Sequence, residues 1–116
     1  MTSTNDVLQN HLDCFARRDL AGILADYAPD AVLFTPEGSL RGEAAIRPLF
    51  ESMLAEFGKP GAEFRMRQRI VDGDHAFIVW TARTADRNYE LGTDTFVIRD
   101  GKIILQSFAS KTTPSA

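Results

Sequence analysis

The sequence has one cysteine, no long apolar run and no excess of basic residues, and each absence excludes a class of protein. Cys14 alone cannot form an intrachain disulfide or a multi-cysteine zinc or iron–sulfur site, and it indicates a reducing compartment. Apolar residues never run far enough to span a bilayer, and the polar N-terminus lacks the basic and apolar segments of a secretory signal. We therefore expect a cytoplasmic protein with no membrane partner.

The charge balance argues against nucleic acid as a partner. Lys and Arg number 13 against 16 Asp and Glu, a net charge of −3, so no positive field exists to neutralise a phosphate backbone. The chain is 116 residues long, with 44% hydrophobic and 25% charged residues, which is typical of one globular domain with a core. We expect one domain over residues 1–116, with flexible ends at about 1–4 and 112–116.

Apolar residues at intervals of three and four predict three helices in the N-terminal half. The first is capped by Thr4 or Asn5, the second begins at Asp19 and is ended by Pro29, and the third lies between Gly42 and Gly58. The apolar stripe of the first helix consists of Val7, Leu8, His11, Leu12 and Phe15. The apolar side of the second consists of Ile23, Leu24 and Tyr27.

The remaining segments alternate with period two, which is typical of strands. A small hairpin is predicted at residues 31–34 and 39–41. A four-stranded meander is predicted at 62–71, 75–84, 89–99 and 102–110, with turns at the Asp-Gly pairs. This order predicts an α+β, cone-shaped fold in which three N-terminal helices pack against a curved antiparallel sheet and enclose a pocket.

Alternation in the first meander strand predicts one buried and one charged face. The buried face would carry Phe64, Met66, Gln68 and Ile70, and the other Arg65, Arg67 and Arg69. The overall field is acidic and no aromatic residue interrupts the arginines, so an anion site is less favoured than a solvated or partner-facing surface.

Four segments resemble one known family. They are FARRDLAGI at 15–23, YAPDAV at 27–32, GEAAIR at 42–47 and GTDTFVIRDGKI at 92–103. On these segments the chain is similar to the nuclear transport factor 2-like superfamily, and to its SnoaL-like polyketide cyclase and ketosteroid isomerase branch, over about residues 8–111. The resemblance implies the cone-shaped fold and a pocket, but no single reaction.

The resemblance also implies roles for three positions. The oxyanion-hole aspartic acid of the isomerases falls on Asp94, its tyrosine partner on His11, and the carboxylate base on Thr35. Thr35 cannot remove a carbon-bound proton at neutral pH without another base, and Glu37 is expected to point to solvent from a turn. Ketosteroid isomerase activity is therefore not expected.

Two polar residues are candidate catalytic groups. Asp94 is either solvated on the outer face of its strand or held in the cavity, where loss of water would favour its neutral form as an acid or hydrogen-bond donor. The resemblance favours the cavity. His11 is either a core residue of its apolar stripe or a base and orienting group for Asp94.

Trp80 has two possible orientations. If three residues form the turn before the next strand, Trp80 stands opposite Asp94 and its indole N–H can reach the carboxyl group; a shift of one residue would turn it outward to a subunit contact. The residues expected to line the cavity or bind substrate are Phe15, Tyr27, Phe34, Thr35, Phe50, Met53, Trp80, Phe96 and Phe108.

Two functions follow from these expectations. The first is a pocket protein for a small apolar metabolite, with cofactor-free acid–base catalysis by Asp94 and His11. The second is a non-catalytic dimeric accessory module whose own side chains fill the cavity. No metal site is expected, Cys14 is interpreted as packing, and no Gly-rich loop is present to hold phosphates. A homodimer through the outer sheet face is expected because residues 75–84 are apolar on both faces.

Overall fold

A computed structural model of the chain describes residues 2–115 and contains three helices and six strands. In chain order they are α1 (Thr4–Ala16), α2 (Leu20–Ala25), β1 (Tyr27–Thr35), β2 (Gly38–Arg41), α3 (Glu43–Phe57), β3 (Glu63–Asp72), β4 (His75–Arg83), β5 (Arg87–Arg99) and β6 (Lys102–Pro114). The three helices pack on a curved, open sheet, which confirms the predicted α+β cone.

The sheet is mixed, whereas the sequence pattern predicts an antiparallel one. Its strand order is β2-β1-β6-β5-β4-β3, and β1 runs parallel to β6. Tyr27 begins β1 instead of belonging to the second helix, and it lies beside Ile103. Pro29 does not end a helix but lies inside β1, where the register shifts, because proline has no N–H for the ladder.

A bulge in β3 reverses the predicted alternation. Met66 pairs with Trp80 on the inner face, but Gln68 pairs with Val79, so Arg67 is the extra residue. Beyond it, Ile70 pairs with Phe77 on the outer face and is 47% exposed. The prediction that Gln68 and Ile70 share the buried face of Phe64 and Met66 is therefore wrong.

Arg69 moves to the inner side for the same reason and connects β3 to α1. Its guanidinium donates to Gln9 Oε1 at 2.8 Å and to Asn5 Oδ1 at 2.8 Å. Arg67 instead donates to Thr81 Oγ1 at 3.0 Å. The three arginines therefore do not form one uniform row.

The chain ends are more regular than expected. Ser3 caps α1 through a reciprocal pair of hydrogen bonds with Asp6, in place of the predicted caps Thr4 or Asn5. β6 extends to Pro114, so residues 112–114, predicted as a tail, pair with β5. The outermost residues of the predicted flexible ends, 1 and 116, lie outside the described residues.

The end of α3 is attached to the β4–β5 turn through Glu56. This partly buried carboxylate accepts hydrogen bonds from Thr84 Oγ1 at 2.7 Å and from Tyr89 Oη at 3.0 Å, and it pairs with Arg87 Nε at 3.3 Å. These contacts hold α3 across the concave face of the sheet, where a cavity remains between them.

The bulge predicts different effects for two neighbouring arginines. Arg69→Ala should lower the free energy of unfolding by about 1 kcal/mol, because it removes charge-assisted hydrogen bonds between β3 and α1. Arg65→Ala is the matched control, because Arg65 has no hydrogen bond or ion pair within residues 2–115, and its effect should stay within about 0.5 kcal/mol. Urea unfolding measures both, and equal losses would contradict the bulge.

Candidate functional site

A cavity of about 290 Å³ lies between α1, α3 and the concave face of the sheet. Its exposed lining residues, Ala16, Arg18, Glu63 and Phe64, mark the mouth. The other lining residues are His11, Leu12, Phe15, Leu33, Leu49, Phe50, Met53, Phe57, Ala62, Ile78, Trp80, Asp94, Phe96, Gln106 and Phe108. Most are apolar, so the few polar groups define the chemistry of the site.

Asp94 lies on the floor of the cavity, which is the side formed by the sheet. It lies on the inner face of β5, between Ile78 of β4 and Phe108 of β6, and is 7% exposed. Trp80 Nε1 donates to Asp94 Oδ2 at 2.8 Å, and Gln106 Nε2 donates to Asp94 Oδ1 at 2.9 Å. Each carboxylate oxygen therefore has a buried protein donor, which favours the ionised form.

The hydrogen-bond network continues from Asp94 to the first strand. Tyr27 Oη donates to Gln106 Oε1, so the order is Tyr27, Gln106, Asp94 and Trp80. Burial raises the pKa of Tyr27 well above its usual range, so this hydroxyl stays protonated. Four strands thus contribute one polar side chain each to a single network.

Burial raises the pKa of Asp94 to about 6, and the hydrogen bonds from Trp80 and Gln106 oppose part of this rise. At pH 7 Asp94 is therefore mainly a carboxylate, whereas the sequence suggested a neutral acid. The cause of the difference is the pair of donors, which stabilises the charge after water has been removed.

The inward orientation of Trp80 is the one found in the structure. Trp80 pairs with Gly92, two residues from the predicted partner Asp94, because residues 84–87 form the turn instead of 86–88. The register shift between Trp80 and Ala82 then moves the partner of Trp80 one residue toward Asp94 and keeps the indole on the inner face. The indole lies across Gly92, where a Cβ atom would come within 2.3 Å of Trp80 Cε2. Glycine at position 92 therefore allows the indole N–H to reach the carboxylate.

His11 is part of the cavity wall and is surrounded by aromatic rings. The rings of Tyr27, Phe50 and Phe96 each meet it edge-on with centroids 5.7 Å apart. Burial lowers the pKa of His11 to about 4. Its Nδ1 lies 3.8 Å from Asp26 Oδ2, too far for a hydrogen bond, and has no other partner. His11 is therefore neutral at pH 7 and a weaker base than Asp94.

Six of the nine predicted cavity or substrate residues line the cavity: Phe15, Phe50, Met53, Trp80, Phe96 and Phe108. Tyr27 does not line it but lies behind the floor, bonded to Gln106. Phe34 and Thr35 also lie outside the lining, contrary to the prediction. Leu33 faces the cavity, so its neighbour Phe34 points to the outer face, and the Thr35 hydroxyl closes the β1–β2 turn on Gly38.

Gln106 is the main site residue that sequence reasoning missed. A signal was present, because Gln106 precedes Phe108 by two residues and so shares its face of the strand. Its partner Phe96 in β5 lies on the same face as Asp94. A neutral amide has no distinctive pattern, however, so only the strand register reveals its contact with the carboxylate.

Other candidate chemistry does not assemble at the cavity. Burial raises the pKa of Cys14, which opposes thiolate formation and fits the packing role. Within residues 2–115, no group of three His, Cys, Asp or Glu side chains is arranged to hold a metal ion. In the same part of the chain no helix has both the length and the apolar character needed to cross a membrane.

Comparisons with known proteins identify the family of the chain. A family model described as a SnoaL-like domain matches residues 8–106. None of the curated proteins compared matches the sequence.

Many solved structures share the fold. A Kribbella flavida protein provisionally described as a ketosteroid isomerase has 16% identity and a TM-score of 0.77, covering 97% of this chain and 81% of its own. A Sinorhizobium meliloti protein provisionally described as a polyketide cyclase has 20% identity and a TM-score of 0.72, with coverages of 89% and 93%. TerC, crystallised with polyporic acid, has 22% identity and a TM-score of 0.74, with coverages of 93% and 91%.

The raised pKa of Asp94 predicts a pH-dependent stability. The carboxyl binds its proton more tightly in the folded state, with a pKa of about 6 against 3.8, so its contribution to stability is present below pH 3.8 and is lost as the pH rises through 6. Asp94→Asn should abolish this loss, which is about 3 kcal/mol in the limit of the full shift. Urea unfolding of both proteins between pH 4 and pH 8 measures it.

Asparagine fits this position because the Gln106 amide can rotate. Its oxygen would then accept from the new amide, while Tyr27 Oη accepts from the rotated nitrogen. Asp30→Asn is the matched control on an exposed strand residue and should keep the wild-type pH profile. A wild-type profile in Asp94→Asn would show that the charge of Asp94 does not oppose folding.

Proposed function

Because the chain belongs to the SnoaL-like domain family, we propose that it binds a small, mostly apolar molecule in the cavity and that Asp94 exchanges protons with it. The observation that carries this proposal is a single hydrogen-bonded carboxylate on the floor of a mostly apolar cavity. TerC, a structural neighbour, was crystallised with a small molecule, which supports a ligand-binding role for this fold.

Asp94 is the proposed proton acceptor. Its pKa of about 6 keeps it ionised at pH 7 yet basic enough to take up a proton during a reaction. The proton moves from an acidic C–H or O–H bond of the ligand to Asp94 and returns to another atom of the same ligand. Such an exchange changes no oxidation state and needs no cofactor.

The role of His11 differs from the one expected from the sequence. With a pKa of about 4 it is neutral at pH 7, so in this proposal it shapes the cavity wall and offers at most one neutral hydrogen bond. The division into an acid, Asp94, and a base, His11, is replaced by one group, Asp94, that accepts and returns the proton.

The alternative function is a non-catalytic binding module. A binding module whose own side chains fill the cavity is disfavoured, because a cavity of about 290 Å³ is present. Binding and catalysis can be separated by experiment. Asp94 is the only buried carboxylate among the lining residues that the structure describes, so a change at Asp94 removes the proton acceptor and leaves the apolar walls in place. Proton transfer in the cavity therefore depends on this one residue.

Binding can be tested with butylbenzene, an apolar probe, followed by the indole N–H resonance of Trp80, the only tryptophan. Ala62→Phe, at the cavity wall, should weaken binding about tenfold or more by occupying the space. Ala55→Phe, on the exposed side of α3, is the matched control and should leave binding unchanged. Equal affinities in both variants, or no binding by the wild type, would contradict the proposed site.

Proton transfer can be tested by hydrogen–deuterium exchange at the α-carbon of 2-tetralone, a two-ring ketone, in D₂O. The wild-type protein should accelerate the exchange, and Asp94→Asn should reduce it about a hundredfold or more, because an amide cannot accept the proton. Binding of the apolar probe without any Asp94-dependent exchange would favour the non-catalytic module.

A homodimer through the outer sheet face is also part of the proposal. Phe77 and Val79 are half-buried on that face. Phe77 belongs to a row of paired residues that crosses the strands of the sheet. The same row contains Ile70 and Phe34, and each of these two residues is 47% exposed. Covering this surface would remove apolar area from water.

The dimer predicts unequal effects for adjacent residues. Ile70→Glu should shift the protein to a monomer in sedimentation velocity at micromolar concentration, because it places a charge in the interface. Val71→Glu is the control, because Val71 is 39% exposed but lies on the opposite side of β3. A monomeric wild-type protein would exclude the dimer.

A further inference from the structure

The polar side chains on and behind the cavity floor donate hydrogen bonds to one another. Trp80 and Tyr27 each have one polar hydrogen, and both are directed within the network, at Asp94 and Gln106. Asp94 accepts one hydrogen bond on each oxygen, although a carboxylate has about four acceptor sites. Apart from the second N–H of the Gln106 amide, the floor therefore offers a ligand the remaining acceptor sites of the Asp94 carboxylate.

The charges around the cavity are also unbalanced. Arg18 is the only cation among the described lining residues, and it lies exposed at the mouth together with Glu63. No positive side chain accompanies Asp94 on the floor, because its two partners are the neutral Trp80 and Gln106. A buried carboxylate without a counterion is costly, and a cationic ligand would reduce that cost.

The walls are suited to a cation as well as to a ring. Aromatic side chains surround the floor, and Trp80 and Phe108 stack almost parallel, with centroids 6.1 Å apart and planes inclined by 3°. Aromatic faces carry partial negative charge and attract ammonium groups. The volume of 290 Å³ is about twice that of a cavity of about 150 Å³ that holds benzene, which fits one substituted ring or two rings.

We propose that the cavity selects a one- or two-ring molecule bearing a protonated amine, with the ammonium group donating to Asp94 and the rings lying among the aromatic walls. This inference rests on the proposed binding function and narrows its ligand class. A carboxylate group directed at the floor would instead face the negatively charged oxygens of Asp94.

The binding should depend on pH through Asp94. Of the elements around it, β1 contributes Tyr27 and α1 contributes the neutral His11, while the lining residues of α3 are apolar. Asp26 lies beyond His11, and Arg18 and Glu63 lie at the mouth. Asp94 is thus the group that titrates between pH 5 and pH 7.5, so amine affinity should rise across this range.

Four probes of similar shape can test the selection: 3-phenylpropylamine, 3-phenylpropan-1-ol, butylbenzene and 3-phenylpropionate. Their dissociation constants are measured from the Trp80 indole N–H resonance at pH 7.5 and confirmed by calorimetry. We expect the amine to bind about tenfold or more tightly than butylbenzene, and phenylpropionate to bind most weakly. At pH 5 the advantage of the amine should shrink, because Asp94 is then largely protonated.

Two variants assign the preference to Asp94. Asp94→Asn should remove the advantage of the amine over butylbenzene, whereas Asp30→Asn, which removes an exposed carboxylate outside the cavity lining, should preserve it. If butylbenzene binds but the amine binds no more tightly, or if its advantage survives Asp94→Asn, the inference fails and the binding function stands. If none of the four probes binds, both fail.

Discussion

The buried carboxylate of Asp94 constrains the structure more than any other group. A charge on the inner face of a sheet is tolerated only when it is hydrogen-bonded, and its donors come from the strands on either side, Trp80 on β4 and Gln106 on β6. Gln106 in turn accepts from Tyr27 at the start of β1. A slip by one residue in β4 or β6 would turn one donor to the other face and leave one oxygen of the carboxylate without its hydrogen bond.

Local patterns in the sequence predict the fold well where partners are close along the chain. Apolar spacing indicates the three helices, and the Asp-Gly pairs indicate turns, because both depend on residues a few positions apart. The parallel pairing of β1 with β6 is not predictable in this way, because the two strands are far apart in sequence. The bulge at Arg67 is not predictable from the local pattern either. Inward and outward residues still alternate on each side of Arg67, and only their assignment to the two faces changes across it.

The identities of several site residues could be predicted from the sequence, but their chemical properties could not. Asp94, His11 and most of the aromatic lining were predicted from strand parity, helix spacing and the family resemblance. The protonation states of Asp94 and His11 were not predicted. A pKa depends on the number of hydrogen-bond donors around the group and on the water removed from it, and tertiary contacts determine both. The same residue types therefore give a charged Asp94 and a neutral His11, where the sequence suggested a neutral acid and a base.

The position of β6 between β1 and β5 has a consequence for how the protein forms. β6, which follows the other five strands in the sequence, lies inside the sheet and joins the β1–β2 hairpin to the β3–β5 meander. Until this strand is synthesised, the two halves have no shared hydrogen-bonded edge, and Asp94 lacks the hydrogen bond from Gln106. Pairing over such a long sequence separation is slow, so the nascent chain spends this interval open to aggregation or to capture by a chaperone.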